Sequence, residues 1–406
     1  MKLFFKPEYI LYIFIYCIFW NYQWQTLPPW FLVSGPTAIA SILLIGMSLS
    51  YISSNKNSIK QEHPIPYYTT LLVAIYGISS IIICIQTRGF DYIWRYMIIY
   101  FAVTMMVGCT FFMSRPDILK RITRFFFRYY WVQVIYNLIF CVISIAQGGY
   151  CIFYLMFYKL TPFTRRWILF VPLLLLLFAP SWQRIMMFRI VVSYLVLFSF
   201  LALNRIPLIK LWTRTFILAP VIFFILGVTG VFNVFNFESY MQKKSYGDEV
   251  LTTDTRTFIY EEALSSSVKN NTIFFGRSFS RGYDSAFQAG RIAKAGGKEE
   301  KFADRISEAF IPNLYTWMGA LGVGAFFLLF AYSSNLAVTK SSNRYMPVVG
   351  LFVSIQWVVC WIENTNAWIS TEIFFMFLQI SMCMSSYWRD LTDEEFEDEM
   401  RNILAA

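Results

Sequence analysis

Near-continuous apolar stretches broken by short polar segments run along this chain. They span Tyr9 to Trp24, Phe31 to Ile52, Tyr67 to Gln86, Tyr92 to Met113, Phe126 to Ala146 and Gly149 to Leu160. They continue at Trp167 to Pro180, Ile185 to Leu203, Phe216 to Phe235, Asn313 to Ser334, Met346 to Ile362 and Trp368 to Trp388. A helix that crosses the hydrocarbon core needs about 20 apolar residues, so the pattern predicts an all-α bundle of about 12 transmembrane helices. Gly149 to Leu160 is short for a straight span and either re-enters or extends through Thr161 and Pro162. The pattern fails at length in one place, between Asn236 and the tenth stretch. The expected organisation is therefore a bundle of about nine spans over residues 1–236, a large, mostly helical loop over 237–312, about three spans over 313–388 and an acidic tail over 389–406.

Composition supports the membrane reading, because 57% of residues are hydrophobic and only 14% charged, against about 25% charged in ordinary globular domains. The net charge of +10 implies no nucleic-acid partner, since Lys and Arg fall in short connections where they set orientation. Lys56 and Lys60, then Arg115, Lys120, Arg121 and Arg124, then Lys159, Arg165 and Arg166 occupy alternate connections. Arg205, Lys210 and Arg214, and finally Lys340 and Arg344, continue the alternation. Both termini are then cytoplasmic and the large loop external. Met1 to Lys6 begins like a signal peptide, but no small-residue cleavage site follows, which predicts a retained first span. The seven cysteines show no metal-ligand spacing and suit apolar packing, while His63 is the only histidine. These residues suggest no metal site and no cofactor.

Charge inside or beside a span is costly and directs attention to a site. Arg184 and Arg189 stand at the outer end of the eighth span, five residues and about 140° apart on a helix. Each either snorkels to headgroups or faces a cavity. Glu363 and Glu372 flank the outer mouth of the last two spans with Trp361 and Trp368, an arrangement that suits a sugar or an interfacial belt. Asp91 and Arg95 are spaced to pair on one helix face. In the loop, Arg256, Tyr260 and Ala263 have helical spacing, and Arg305 and Glu308 read as neighbours on a helix leading to the tenth span. Gly276 and Gly282 bound a turn with Arg277 and Arg281, cations suited to phosphate oxygens. The segment Gly290 to Lys298 reads as a solvated loop, and the tail after Arg389 as a solvated helix or frayed end.

In order and spacing, these residues resemble the bacterial O-antigen polymerase and O-antigen ligase superfamily. The resemblance rests on Arg256-Thr257-Phe258-Ile259-Tyr260, then Asn271 and Phe275-Gly276, then Asn313-Leu314-Tyr315 followed by Gly319, Gly322 and Gly324. Ser181-Trp182-Gln183-Arg184 is similar to the Ser-Arg that begins a mid-chain span in that family. One departure is informative: ligases of the family carry a His where this chain has Pro312. A polymerase is favoured over a ligase.

The resemblance implies a glycosyltransferase of the bacterial inner membrane that joins undecaprenyl-pyrophosphate-linked oligosaccharide repeat units into O-antigen, capsule or exopolysaccharide, without metal or nucleotide sugar. An acceptor hydroxyl would displace lipid pyrophosphate at the anomeric carbon. The charged leaving group calls for fixed guanidinium groups, and Arg184, Arg189, Arg256, Arg277 and Arg281 are the candidates. Glu308, then Glu372, then Glu363 are candidate bases, and Tyr260, Asn313, Glu363 and Trp368 candidate sugar contacts. The expected partners are the lipid-linked oligosaccharide, the bilayer and a chain-length regulator protein. A lipid-linked oligosaccharide flippase is the rival reading, although it would not need a long ordered loop.

Overall fold

A computed structural model of the protein describes residues 31–90, 93, 97–125, 190–196, 198, 206–229, 255–294, 303–307, 309–362 and 371–405. Helix α1 is Phe31–Ser54, α2 Lys56–Glu62, α3 Pro64–Thr87, α4 Ile98–Met113 and α5 Ile206–Val228. The loop contributes α6 (Thr255–Lys269), β1 (Tyr283–Ser285), α7 (Ala286–Lys294) and β2 (Ala303–Arg305). Helices α8 (Phe310–Thr339), α9 (Tyr345–Ile362), α10 (Thr371–Met384), α11 (Ser386–Asp390) and α12 (Asp393–Ala405) complete the described elements.

Among the described residues, four helices are long and apolar enough to cross a membrane: Pro64–Thr87, Pro207–Val228, Phe310–Thr339 and Tyr345–Ile362. Two shorter apolar helices, Tyr100–Met113 and Ile373–Met384, pack with them. Helix α9 lies against α5, α8 and α10, and α4 against α1, α3 and α10. Aromatic and sulfur side chains fill these contacts. Trp357 is fully buried against Phe327 and Phe330, and its indole N–H donates to the Ile217 carbonyl at 3.1 Å. Cys84, Cys109, Cys360 and Cys383 are free and buried, as packing residues should be.

Alternating helix directions give the bundle two ends. One carries the loop elements; the other carries α2, residues 114–125, the turn 340–344 and α11–α12. The tail corrects its expectation, because α12 is neither frayed nor fully solvated. Phe396, Met400, Ile403 and Leu404 are buried, and Phe396 stacks on Tyr345 at 4.8 Å between centroids. Arg344 and Tyr345 donate to the Glu397 carboxylate at 2.9 and 2.5 Å, and Lys120 reaches Glu399 at 2.5 Å. The acidic residues recognise the basic turns of that end, which neutralises both.

Two boundaries also differ. Helix α5 begins about ten residues before the expected ninth stretch, at Ile206, so Lys210 and Arg214 lie on the helix and not in a connection. Long basic stems are compatible with a helix end because they carry their charge outward. The described part of the loop adds a short sheet to its helices: β1 and β2 pair antiparallel, with Tyr283 opposite Arg305 and Ser285 opposite Ala303. Arg305 therefore sits on a strand. The expected Asp91–Arg95 pair and the spans before Phe31, within 126–189 and at 231–235 lie outside the described residues.

His63 sits where α2 meets α3, its Nδ1 3.2 Å from the Tyr332 hydroxyl of α8, which donates to the Glu62 carbonyl. Burial, and then the Arg389 charge, lower the His63 pKa from 6.5 to about 4. Between those values the unfolded chain binds a proton that the folded chain refuses, so this contribution to stability is present above pH 6.5 and lost as pH falls toward about 4. Thermal unfolding in detergent between pH 7 and pH 5 should therefore shift downward, and His63→Gln should flatten that shift. An unchanged pH dependence in the variant would remove His63 from its origin.

Candidate functional site

A straight α8 would join the Ala320 amide to the Thr316 carbonyl and the Leu321 amide to the Trp317 carbonyl by the ordinary i to i−4 ladder. The helix breaks between them at Gly319, with φ 65° and ψ −163°. The loop satisfies all four groups thus released. Ala320 N–H donates to the Ile273 carbonyl at 2.8 Å and Leu321 N–H to the Phe274 carbonyl at 3.2 Å. Arg277 N–H donates to Thr316 at 2.6 Å and Ser278 N–H to Trp317 at 3.1 Å. The span is interrupted and completed by a segment about forty residues earlier in the chain.

Two glycines make the close approach possible. A Cβ on Gly319 would lie 2.3 Å from the Phe274 carbonyl carbon, and one on Gly276, at φ 70°, 2.4 Å from that of Trp317. The turn is aimed from upstream as well. Helix α6 ends in a Schellman motif: Asn271 is left-handed at φ 55°, its N–H donates to Val268, and Thr272 N–H donates to Ser267. Downstream, Phe279 N–H donates to the Ser80 hydroxyl of α3 at 2.9 Å. The Phe279 ring packs on Phe101 and Trp317, and Trp317 stacks on Tyr100 at 5.1 Å.

Arg277 is only 6% exposed. Its Nη1 donates to Asp284 at 2.7 Å, to the Gly282 carbonyl at 3.0 Å and to the Ser266 hydroxyl at 3.1 Å. Asp284 also accepts from Asn270 and Lys269. Burial alone would raise the Asp284 pKa, but these donors outweigh it and hold the carboxyl at about 2. Its contribution to stability is complete above the ordinary 3.8 and is lost only as pH falls toward about 2.

Arg281 is the more open cation, with its side chain 37% exposed and its Nε 3.8 Å from the Asp304 carboxylate. The same carboxylate oxygen pairs with Arg88, the residue that ends α3. Burial, and then the charges of Arg277 and Arg88, lower the Arg281 pKa. Arg305, expected beside Glu308, instead pairs with Glu262 of α6 at 3.5 Å and lies over the Phe287 ring. The strand register turns it toward α6.

The stitched turn has a cleft on each side. One, of about 420 Å³, is lined by apolar and aromatic groups of α5, α6, α8 and α9, including Phe224, Tyr260, Tyr315 and Trp361, and by Ile273 of the turn. The other, of about 480 Å³, lies between α3 and the turn, walled by Leu72, Ile75, Tyr76, Ile83, Phe275 and Arg277.

The expected site residues separate accordingly. Tyr260, Arg277, Arg281 and Asn313 gather at this end of the bundle. Tyr260 stacks on Trp361 and donates its hydroxyl to the Trp361 carbonyl at 2.8 Å. Asn313 is buried and clasps the Ser307 backbone, accepting at 2.6 Å and donating at 3.0 Å. Arg256 lies on α6 one turn before Tyr260, and Glu372 in the first turn of α10. Arg184, Arg189, Glu308, Glu363 and Trp368 lie outside the described residues. Arg88, Asp284 and Asp304 were missed. Each reads in sequence as an ordinary loop charge, and only the strand pairing and the end of α3 bring them to the arginine turn. Among the described residues no three His, Cys, Asp or Glu side chains gather as metal ligands do.

These features define a helical membrane protein in which a loop segment completes one of the apolar helices. Compared with protein-family models, with curated proteins and with solved structures, the chain matches none.

The stitch makes a direct prediction. Gly319→Ala combines a left-handed alanine, costing about 1–3 kcal/mol, with a 2.3 Å clash against backbone that cannot swing aside. The variant should show lower thermal stability and faster proteolysis of the loop, whereas Gly324→Ala, whose added Cβ meets nothing within 4 Å, should behave as wild type.

Proposed function

We propose that this protein is a polysaccharide polymerase of the inner membrane, joining polyprenyl-pyrophosphate-linked oligosaccharides on its loop side, with both termini cytoplasmic. The observation that carries this reading is the pair of apolar clefts flanking one arginine-bearing turn at a broken span. Interrupted spans are where membrane proteins commonly build sites, because unwound backbone needs partners and makes room for substrate. A polymerase must hold two lipid-linked chains side by side, one giving its glycan and one receiving it. Two clefts with apolar walls beside a polar turn suit two hydrocarbon tails whose headgroups meet at the turn. A flippase needs one moving site and no such stitched loop. The sequence resemblance adds the reaction, and Pro312 in place of histidine weighs against the ligase.

In this reading the arginines stabilise the departing pyrophosphate, with Arg281 more open than Arg277 and Arg256 one turn from Tyr260. Arg277 orders the turn through Asp284 while lending its charge. Glu308 is the first candidate base and Glu372 the second.

Purified protein given lipid-linked repeat units should form polymer. Arg281→Lys, which keeps charge but loses the planar fork, should reduce turnover by about 10²-fold at normal membrane levels. A deletion strain should accumulate single repeat units on the carrier at the outer face. Unexported repeat units would instead establish the flippase reading, and polymer formed but not transferred to lipid A core the ligase reading.

A further inference from the structure

The turn contains Phe274 and Phe275, which are 68% and 69% exposed. In water this pair would be an apolar patch without purpose. Its height along the bundle suggests otherwise. Helix α3 rises about 36 Å over its length, slightly more than the ~30 Å hydrocarbon core. Ile75, Ile78, Ile82 and Ile85 are each more than half exposed, so its outward surface stays apolar to the last turn. The loop segment meets α3 below that end. Ser80, which accepts from Phe279, is five residues before Ile85, a rise of about 7.5 Å. The cleft that Phe275 walls reaches deeper still, to Leu72.

Irregular backbone near the edge of the hydrocarbon layer is tolerated where its polar groups are satisfied within the protein or reach interfacial water. Here the Ile273 and Phe274 carbonyls accept from α8, and the Arg277 and Ser278 amides donate to it. Gly276 N–H donates to Thr272, and Phe279 N–H to Ser80. Arg277, carried at the same level, is neutralised by Asp284. The apolar surface of Phe274 and Phe275 runs on into Leu321 of α8, itself 45% exposed and hydrogen-bonded to Phe274 through the backbone.

We propose that the turn Ile273–Gly276 is a wedge seated at the edge of the hydrocarbon layer on the loop side, with the Phe274 and Phe275 rings presented to the acyl chains of bilayer lipids and the remaining amides of the turn within reach of interfacial water. The loop is thereby held at a fixed depth by lipid contact as well as by its hydrogen bonds to α8. The wedge does not require the catalytic reading, although Phe275 also walls the cleft that reading gives to a hydrocarbon tail.

The test uses the full chain in phospholipid nanodiscs, with the photoreactive phenylalanine analogue p-benzoylphenylalanine at position 274 or, in a second variant, 275. The control position is Val268, 61% exposed on α6. Irradiation should add the mass of one phospholipid to the peptide carrying position 274 or 275 and none at position 268. Equal lipid capture at all three positions, or capture at none, would overturn the wedge. Crosslinks from 274 and 275 to a second copy of the chain would do so as well.

Discussion

The structure depends on an exchange of four backbone hydrogen bonds. Two amides and two carbonyls that α8 would ordinarily join to each other are joined instead to residues 273–278. Each bond contributes only about 0.5–1.5 kcal/mol net, but a buried group left unpaired costs about 1–3 kcal/mol. Neither partner can therefore leave alone. Pulling the turn away would orphan four groups on the turn, and four on the span for as long as Gly319 keeps its non-helical backbone. The loop is in this sense a missing part of the helix.

Other features follow from holding that exchange in register. The Schellman end of α6 delivers the chain to the turn, and the Ser80 hydroxyl receives it on α3. Tyr315 in the second turn of α8 lies 2.8 Å from Ser267, so α6 is tied to the span it helps to complete. Asn313 closes the entry by clasping Ser307. Arg277 and Asp284 bind the turn to β1, and two guanidinium groups sharing Asp304 bind β2 to the end of α3. At the opposite end, α12 holds the basic turns together by a similar exchange of charges. The bundle is fastened at both ends, by a broken helix on one and an acidic helix on the other.

Much of the bundle was legible because apolar runs of membrane length have few other interpretations; α1, α3, α8 and α9 begin and end within a few residues of the expected stretches. The helix at Arg256–Tyr260 was legible from its period and Gly276 as a turn boundary, while Asn313 and Gly319 stood out only through the family resemblance. Their physical role was not legible. Nothing local in Gly319 reveals that its partner is Phe274, because backbone exchange carries no side-chain signature. The strand at Arg305 was misread for a related reason: three residues hold too little pattern to distinguish a strand from a helical turn, and tertiary pairing decided it. The tail was misread because its charge suggested solvation, while Phe396, Met400, Ile403 and Leu404 carry a helical apolar stripe that marks a docked face.

The arginine turn separates two roles that the sequence ran together. Arg277 and Arg281 are four residues apart and flank the same bend, yet their surroundings differ in kind. Arg277 is enclosed, with one terminal nitrogen shared among a carboxylate, a hydroxyl and a carbonyl, so removing it would leave Asp284 with only Asn270 and Lys269 and release the turn from β1. Arg281 meets its carboxylate at 3.8 Å, in a place where Arg88 already pairs with the same oxygen. Burial, and then repulsion from Arg277 and Arg88, lower its pKa, so additional negative charge nearby would favour its charged form. On the proposed reading, a pyrophosphate arriving at this turn competes with Asp304 for Arg281 while Arg277 keeps the turn folded beneath it. The first arginine secures the architecture, which leaves the second to answer to the substrate.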